Sequence, residues 1–272
     1  MEFFSNVYDA LVCCDVQYKK LKIQEIQANF LSLSFYHSAP IHTLHEPSYA
    51  KLCEVIHPTR IKRPKKCDSI QSVAKILHSV AHIEYSAIDL GLDAAYRFRN
   101  MPSEYYLDFI SLSFEEILHF GMLESLLLDL GFRYGDFAVH DNLFLAMIKT
   151  PTLIERMALI HKGLEALGLD SNPFVANKIK NTNIFLKDRI LEILDIILHD
   201  EIGHVAKGGK WLLYAQQKLG DSRSLSQILE PFSDINLIGN IPNVKARIEA
   251  GYTQAEIESL QALRKEYNER LV

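Results

Sequence analysis

Glu116-Ile117-Leu118-His119 and Glu201-Ile202-Gly203-His204 are the two stretches that decide how this 272-residue chain is interpreted. In each, the glutamate and the histidine lie three residues apart, so a helix carries both on one face, with their Cβ atoms about 5–6 Å apart. About one such match is expected by chance. A third match, Glu54 to His57, precedes Pro58 outside any long apolar stripe, so we assign it no role. The first two stretches interrupt apolar stripes and are candidates for a buried site.

Apolar residues recur along the chain at intervals of three and four, and this periodicity predicts helices. Helix A begins at Asp68, with Gln71 at capping-box distance, and ends at the turn around Met101. Helix B ends at Gly131, a residue that suits a helix C-terminus. The remaining expectations are a short helix over 141–148, helix C from Thr150-Pro151 to a break at Gly168 to Pro173, helix D over about 184–219, and a hairpin of helices at 243–250 and 253–267. The sequence therefore predicts an all-α fold.

Two further glutamates interrupt the other long stripes, Glu84 in helix A and Glu165 in helix C. Glu84 and Glu116 lie 17 and 15 residues from the turn at Met101, and Glu165 and Glu201 each lie 18 residues from the next predicted turn. Antiparallel helices that turn at those points bring each pair to one depth, within about 3 Å at 1.5 Å per residue. The register therefore predicts that these acids meet at one level of a helical bundle.

Four carboxylates in a helical core are expensive, because each unpaired buried charge costs several kcal/mol even after the protein relaxes. Total stability is only about 5–15 kcal/mol. No lysine or arginine occupies the stripes near these acids. Two divalent cations would balance the four negative charges, and a mixture of carboxylate and imidazole suits iron or manganese. The predicted metal ligands are Glu84, Glu116, His119, Glu165, Glu201 and His204.

This ligand set is that of ferritin-like di-iron and di-manganese bundles, in which two helices each supply a glutamate and two supply Glu-x-x-His. Further motifs extend the similarity, namely His82-Ile83-Glu84, Arg97-Phe98, Tyr134-Gly135-Asp136-Phe137, Leu164-Glu165-Ala166-x-Gly168-Leu169-Asp170 and Asp200-Glu201-Ile202-Gly203-His204-Val205. Over roughly residues 58–215 the chain resembles a largely uncharacterised bacterial family of ferritin-like, di-iron carboxylate proteins. It is more distantly similar to tRNA-modifying di-iron hydroxylases.

The resemblance implies a ferritin-like four-helix bundle with helical extensions at both ends. Three segments follow from this expectation. Residues 1–68 form an N-terminal helical extension with a basic, proline-containing linker, residues 69–220 form the bundle, and residues 221–272 form a C-terminal helical hairpin packed on it.

Two iron ions in such a bundle imply an O₂-dependent oxidase or hydroxylase of an unidentified organic substrate, because non-haem iron supplies electrons to O₂. Manganese is the alternative metal. The expected partners are O₂, a small-molecule or RNA-borne substrate, and an electron donor if the protein is an oxygenase. One alternative is iron handling as a ferroxidase, against which the long extensions argue because they hinder cage packing. Another is a non-catalytic bundle that its metals only stabilise. No catalytic residue is assigned.

Three polar residues near the predicted ligands have two interpretations each. Glu115 and Asp200 precede ligand glutamates, and they either orient an opposing histidine through its second N–H group or are solvated helix acids. His161 lies four residues before Glu165 on the same face, and it is either an additional ligand or neighbour of the metal, or a core histidine. These three residues are candidates for supporting the metal site rather than for building it.

Four other features also keep two interpretations. Tyr85 and Trp211 either pass electrons to a metal or pack in the core. The basic run over 60–66 suits either RNA phosphates or a solvated loop. Tyr134 to His140, in the connection over 132–150, lie where this connection either covers one end of the bundle and gates the site or only joins helices B and C.

Composition narrows the class of protein further. The formal net charge of −5 and the pI near 6.1 argue against bulk nucleic acid or an anionic membrane as the main partner. No apolar run reaches the roughly 18 residues of a membrane span. The four cysteines include no C-x-x-C pair. We therefore expect reduced thiols in a cytoplasmic monomer or dimer without a membrane partner.

Overall fold

The computed structural model describes residues 1–62, 64 and 66–270, and its regular structure is helical. Its α-helices are α1 (Phe3–Val12), α2 (Val16–Asn29), α3 (Ile70–Arg97), α4 (Ser103–Asp129), α5 (Asn142–Ile148), α6 (Leu153–Arg156), α7 (Glu165–Lys180), α8 (Lys187–Leu219), α9 (Leu225–Leu229), α10 (Val244–Glu249) and α11 (Gln254–Arg270). A π-helical segment, Met157–Leu164, joins α6 to α7. Short 3-10 turns cover Phe30–Ser32, Ser48–Lys51, Pro58–Arg60 and Glu230–Phe232.

The prediction of an all-α protein is confirmed for the described residues. They contain two isolated β-bridges, Glu2 with Ser34 and Val55 with Val139, and no strand. Within the same residues, no helix combines the length and the apolar composition that crossing a bilayer requires. All four cysteines belong to this part of the chain, and no disulfide joins any of them.

The chain packs as two compact units. The first comprises Met1–Leu145 with Thr182–Leu186, and the second comprises Ala146–Asn181 with Lys187–Val272. Each unit contains one pair of long helices, α3 with α4 in the first and α7 with α8 in the second. The predicted segments 1–68, 69–220 and 221–272 divide the chain by role rather than by packing, and that division stays a prediction.

In the first unit, α3 and α4 form an antiparallel pair. Tyr105 Oη donates to the carbonyl of Ala94 at 3.1 Å, and Ser113 Oγ donates to the carbonyl of Ile88 at 3.4 Å, so residue numbers rise on α4 as they fall on α3. The two helices approach closely at Gly91, where a Cβ atom would overlap Ser113 Oγ. Further along this antiparallel pair, near the middle of both helices, lie three of the predicted ligands, Glu84, Glu116 and His119.

The N-terminal segment is held to α3 by buried polar contacts. Lys19 Nζ donates to Asp89 Oδ1 at 2.7 Å and to the carbonyls of Ala10 and Leu11, and the lysine side chain is fully buried. Ser48 Oγ donates to Asp89 Oδ2 at 2.7 Å. One carboxylate on α3 therefore fixes α1, α2 and the turn that begins at Ser48, which makes these elements part of the first unit.

In the second unit, α7 and α8 form another antiparallel pair. Asn172 Nδ2 donates to the carbonyl of Leu194 at 2.8 Å. At the other end of the pair, Gly208 of α8 packs against the backbone of His161, and a Cβ atom at Gly208 would overlap the His161 carbonyl. The helix α10 packs against both α7 and α8, and α11 packs against α9 and α10.

Helix D begins at Lys187 rather than at about 184, and the starts of helices A and C also differ from the prediction. The helix α3 is capped by Ser69 rather than by Asp68, because the Ser69 hydroxyl accepts the backbone N–H three residues on. The helix α6 is capped by Thr152, which forms a reciprocal capping box with Glu155, so the predicted start with Pro151 at the first helical position is wrong. In both cases a hydroxyl cap lies one or two residues beyond the predicted start.

Helix C does not break between Gly168 and Pro173 as predicted. The helix α7 continues through Pro173, although a proline has no N–H to donate to the carbonyl of Leu169, four residues earlier. Asn243 Nδ2 donates to that carbonyl instead, at 3.3 Å. An amide from the C-terminal segment therefore satisfies the backbone group that the proline leaves, and the helix is not interrupted.

Candidate metal centre

Two glutamates and one histidine meet in the middle of the α3–α4 pair, and we call Glu84, Glu116 and His119 the first cluster. Each of the three offers a ligand atom, and these atoms lie within 4.8 Å of one another. His119 Nδ1 lies 3.2 Å from Glu84 Oε2 and 3.4 Å from Glu116 Oε2. All three residues are buried, with at most 3% of their surface exposed.

Burial and mutual contact perturb the ionisation of the first cluster. Burial raises the pKa of Glu84 to about 7, the negative charge of Glu116 adds to this rise, and the contact with His119 opposes it. Burial lowers the pKa of His119, but its contacts with Glu116 and Glu84 outweigh burial and raise that pKa to about 12. Both shifts favour the protonated forms of Glu84 and His119, and a metal ion would have to displace the proton on the imidazole nitrogen that binds it.

The second unit holds three predicted ligands, Glu165, Glu201 and His204, and the supporting candidate His161, which form two pairs. His161 Nδ1 lies 2.8 Å from Glu165 Oε1, and His204 Nδ1 lies 3.9 Å from Glu201 Oε2. All four residues are buried. In each pair, as in the first cluster, the histidine turns its Nδ1 atom toward a carboxylate. The same donor atoms, carboxylate oxygen and imidazole Nδ1, are thus presented in both units.

These donors fit a divalent metal ion. Carboxylate oxygens and imidazole nitrogens are ligands of iron, manganese and zinc. Glu165 Oε2 is buried and accepts no hydrogen bond from the described residues, an arrangement that needs an explanation because buried polar atoms are normally hydrogen-bonded. The first cluster is a buried group of Glu and His that could bind a metal ion, and the identity of the metal stays a prediction.

A model of the family described as protein of unknown function (DUF455) matches residues 12–258 of the chain. The chain belongs to this family. All six predicted metal ligands lie within the matched residues. An uncharacterized protein of Haemophilus influenzae is 39% identical to this DUF455 chain over 198 residues, which cover 69% of the chain and 67% of that relative. No solved structure matches the chain significantly.

The supporting roles predicted near the ligands stay predictions in this DUF455 protein. Glu115 and Asp200 are half-buried, and Glu115 accepts a hydrogen bond from the serine hydroxyl one turn earlier. Tyr85 is fully buried and stacks on Tyr134, with ring centroids 5.4 Å apart and an interplanar angle of 11°. Trp211 is buried in α8. Core packing therefore describes both aromatic residues, whichever further role they have.

Two neutral histidines on α3 anchor the connection that follows α4. The Gly135 amide donates to His78 Nε2 at 3.0 Å. His82 Nε2 lies 2.7 Å from the carbonyl of His140, and His82 Nδ1 lies 3.0 Å from Tyr134 Oη. Because a carbonyl only accepts, His82 Nε2 carries the proton and Nδ1 accepts from the tyrosine. Burial lowers the pKa of His78 to about 4 and that of His82 to about 3.

The segment before α3 contains the Glu-x-x-His match that we excluded and the basic run. Glu54 and His57 are exposed, as expected for a chance match. Arg60 is exposed as well. Arg63 and Lys65, from the middle of the basic run, lie outside the described residues. The proposed contact of this run with RNA phosphates stays a prediction.

Sequence reasoning assigned no role to the buried acid Asp170. Arg247 donates to it from Nε at 3.0 Å and from Nη2 at 2.7 Å, and the amides of Gly239 and Asn243 donate to it at 2.7 and 2.8 Å. Neither side chain of this ion pair is more than 1% exposed. Asp170 therefore ties the C-terminal segment to α7. Because the two partners lie 77 residues apart in sequence, no local pattern indicates the pair.

Proposed function

We propose that this DUF455 protein is a ferritin-like four-helix bundle that binds two divalent metal ions and uses O₂ to oxidise or hydroxylate an organic substrate. The proposed bundle helices are α3, α4, α7 and α8. Iron is the proposed metal and manganese the alternative. The proposed ligands are Glu84, Glu116, His119, Glu165, Glu201 and His204.

The first cluster carries this proposal. Two buried carboxylates and one imidazole have a net charge of −1 when all three are ionised, and of −2 when the imidazole is neutral. A negative charge in a low-dielectric interior costs several kcal/mol after relaxation. A divalent cation would offset this charge and accept the oxygen and nitrogen donors that already lie within 4.8 Å of one another.

The pairs in the second unit support a second metal ion. Glu165 and Glu201 are buried acids, each beside a histidine Nδ1 atom. With the first cluster they supply the four carboxylates and two Glu-x-x-His motifs that dimetal bundles use.

The side chains of the chain itself have clear tasks in such a site. The four glutamates supply oxygen donors and negative charge, and His119 and His204 supply nitrogen donors once they are neutral. Iron, when bound, supplies electrons to O₂.

Metal analysis of protein purified without added metal tests the metal part of this proposal. We expect two equivalents of iron or manganese per chain. Glu116→Gln should lower this content, because the substitution removes a charged ligand. The matched control is Glu124→Gln, which changes a half-buried acid eight residues further along α4 and should leave the content unchanged. A single equivalent of zinc, or equal metal content in both variants, would contradict the proposal.

The oxidative part requires a separate measurement. Protein is loaded with two equivalents of Fe²⁺ without O₂ and is then exposed to O₂. We expect the wild type to consume O₂ and to develop ferric absorption, and we expect Glu116→Gln to lose both responses. Loaded protein that consumes no O₂ would instead support a site that only stabilises the fold. Size-exclusion chromatography covers the iron-storage alternative, because a mineral-storing cage is far larger than the expected monomer or dimer.

A further inference from the structure

The residues before Glu165 form a π-helical segment, Met157–Leu164, between two α-helical elements. The Glu165 amide donates to the carbonyl of Ile160, five residues earlier, where an α-helix would use a carbonyl four residues earlier. Such segments are rare and occur frequently at functional sites. This one ends at a predicted metal ligand and contains His161, whose Nδ1 atom lies 2.8 Å from Glu165 Oε1.

Side chains of the C-terminal segment contact this π-helical segment. Tyr252 Oη donates to the carbonyl of Lys162, and the tyrosine is buried. Lys162 Nζ lies 2.6 Å from Glu256 Oε1 and 4.8 Å from the centre of the Tyr252 ring. Tyr252 and Glu256 therefore hold both the backbone and the side chain of the residue that follows His161.

The helix α8 holds the same turn from another side. A Cβ atom at Gly208 would overlap the His161 carbonyl, so the glycine allows the two backbones to touch. Two consecutive residues of the π-helical segment, His161 and Lys162, are thus fixed by α8 and by the C-terminal segment. A shift of the backbone at His161 or Lys162 would move the His161 imidazole relative to Glu165, because Glu165 belongs to the following helix α7.

We propose that Tyr252 and Glu256 are positioning residues of the metal site, which hold the π-helical turn so that His161 and Glu165 keep their geometry. The inference rests on the proposed function, because it assumes that Glu165 binds metal. It makes the C-terminal hairpin a support of the metal site, acting through Lys162 rather than through a ligand of its own.

Tyr252→Phe tests this inference, since it removes one hydroxyl and keeps the ring. The matched control is Tyr105→Phe, which removes another buried tyrosine hydroxyl that donates to a backbone carbonyl, that of Ala94 in the first unit. The probe is Co²⁺ alone, titrated into metal-free protein and followed by its visible absorption. We expect Tyr252→Phe to weaken Co²⁺ binding by about 10-fold and to change the shape of the spectrum, as loss of an outer support does.

The control should keep both the affinity and the spectrum of the wild type. Equal affinity and spectrum in the two tyrosine variants would overturn this inference while leaving the proposed function standing. Wild-type protein that binds no Co²⁺ would overturn the proposed function and this inference with it. If Tyr252→Phe does not fold, Glu256→Gln, which weakens the contact with Lys162, decides the matter by the same two measurements.

Discussion

Replacing Asp170 by asparagine should destabilise the second unit severely. The substitution keeps the shape of the side chain and removes the charge that faces the buried guanidinium of Arg247. Removing one partner of a buried ion pair costs about 3–5 kcal/mol, because the other charge then stays in the interior uncompensated. Against a total stability of about 5–15 kcal/mol, this is a large loss.

The chain contains its own probe for this measurement. Trp211 is the single tryptophan and is buried in α8, in the same unit as Asp170. Its fluorescence during urea unfolding therefore follows the unit that the substitution affects. The matched control is Asp234→Asn, because Asp234 and its partner Lys149 lie 3.3 Å apart and are 53% and 54% exposed. Such a surface pair contributes about 0–1 kcal/mol.

A double variant separates the charge from the packing. Asp170→Asn combined with Arg247→Met removes both charges, and it should regain much of the stability that Asp170→Asn alone loses, because apolar replacement of a buried pair is often neutral. An unfolding midpoint of Asp170→Asn that matches the Asp234→Asn control would refute this reasoning.

Three further predictions concern packing, pH and metal. Gly208→Ala should lower the free energy of unfolding in urea by about 1–3 kcal/mol, because its Cβ atom would overlap the His161 carbonyl. Gly203→Ala in the same helix is the control: its Cβ atom meets nothing within 4 Å, so the free energy of unfolding should rise by up to about 1 kcal/mol. Because burial lowers the pKa of His78 to about 4, the wild type should lose stability as the pH falls below 6.5, the ordinary pKa of a histidine. The free energy of unfolding should fall by up to about 2 kcal/mol between pH 6.5 and 5, because the unfolded chain binds a proton at His78 that the folded protein does not. Unfolding curves at the two pH values would measure this loss, which should be smaller in His78→Gln. Mn²⁺ at 100 times its dissociation constant should stabilise metal-free protein by about 2.7 kcal/mol in thermal unfolding, and no change would argue against a native-state metal site.

The helices that carry the candidate ligands could be predicted because their signals are local. Apolar periodicity over successive turns indicates α3, α4 and α8, and the spacing of Glu116 and His119 places both on one helical face. The start of α11 is equally local, since Thr253 and Glu256 satisfy each other's backbone amides three residues apart. Patterns of this length need no knowledge of the tertiary structure.

The path of helix C could not be predicted, because its contacts come from distant parts of the chain. Pro173 is tolerated because Asn243 donates to the carbonyl that the proline leaves unsatisfied. The π-helical turn is held by Tyr252, 90 residues after Lys162. Asn243 and Tyr252 lie too far along the chain from the residues they contact for a helical or strand periodicity to indicate these contacts. The error at Gly168 to Pro173 and the missed π-helical segment therefore share one cause, which is tertiary contact that overrides local preference.

Buried acids in this protein differ in how their charge is balanced, and this difference separates a structural acid from a candidate ligand. Asp170 faces one guanidinium, so the pair is neutral without any ion. In the first cluster, two carboxylates contact one imidazole, and the raised pKa values of Glu84 and His119 favour proton binding there. A divalent cation would take the place of those protons. Metal binding at the first cluster should therefore release protons and tighten as pH rises, whereas the pair at Asp170 should be indifferent to metal.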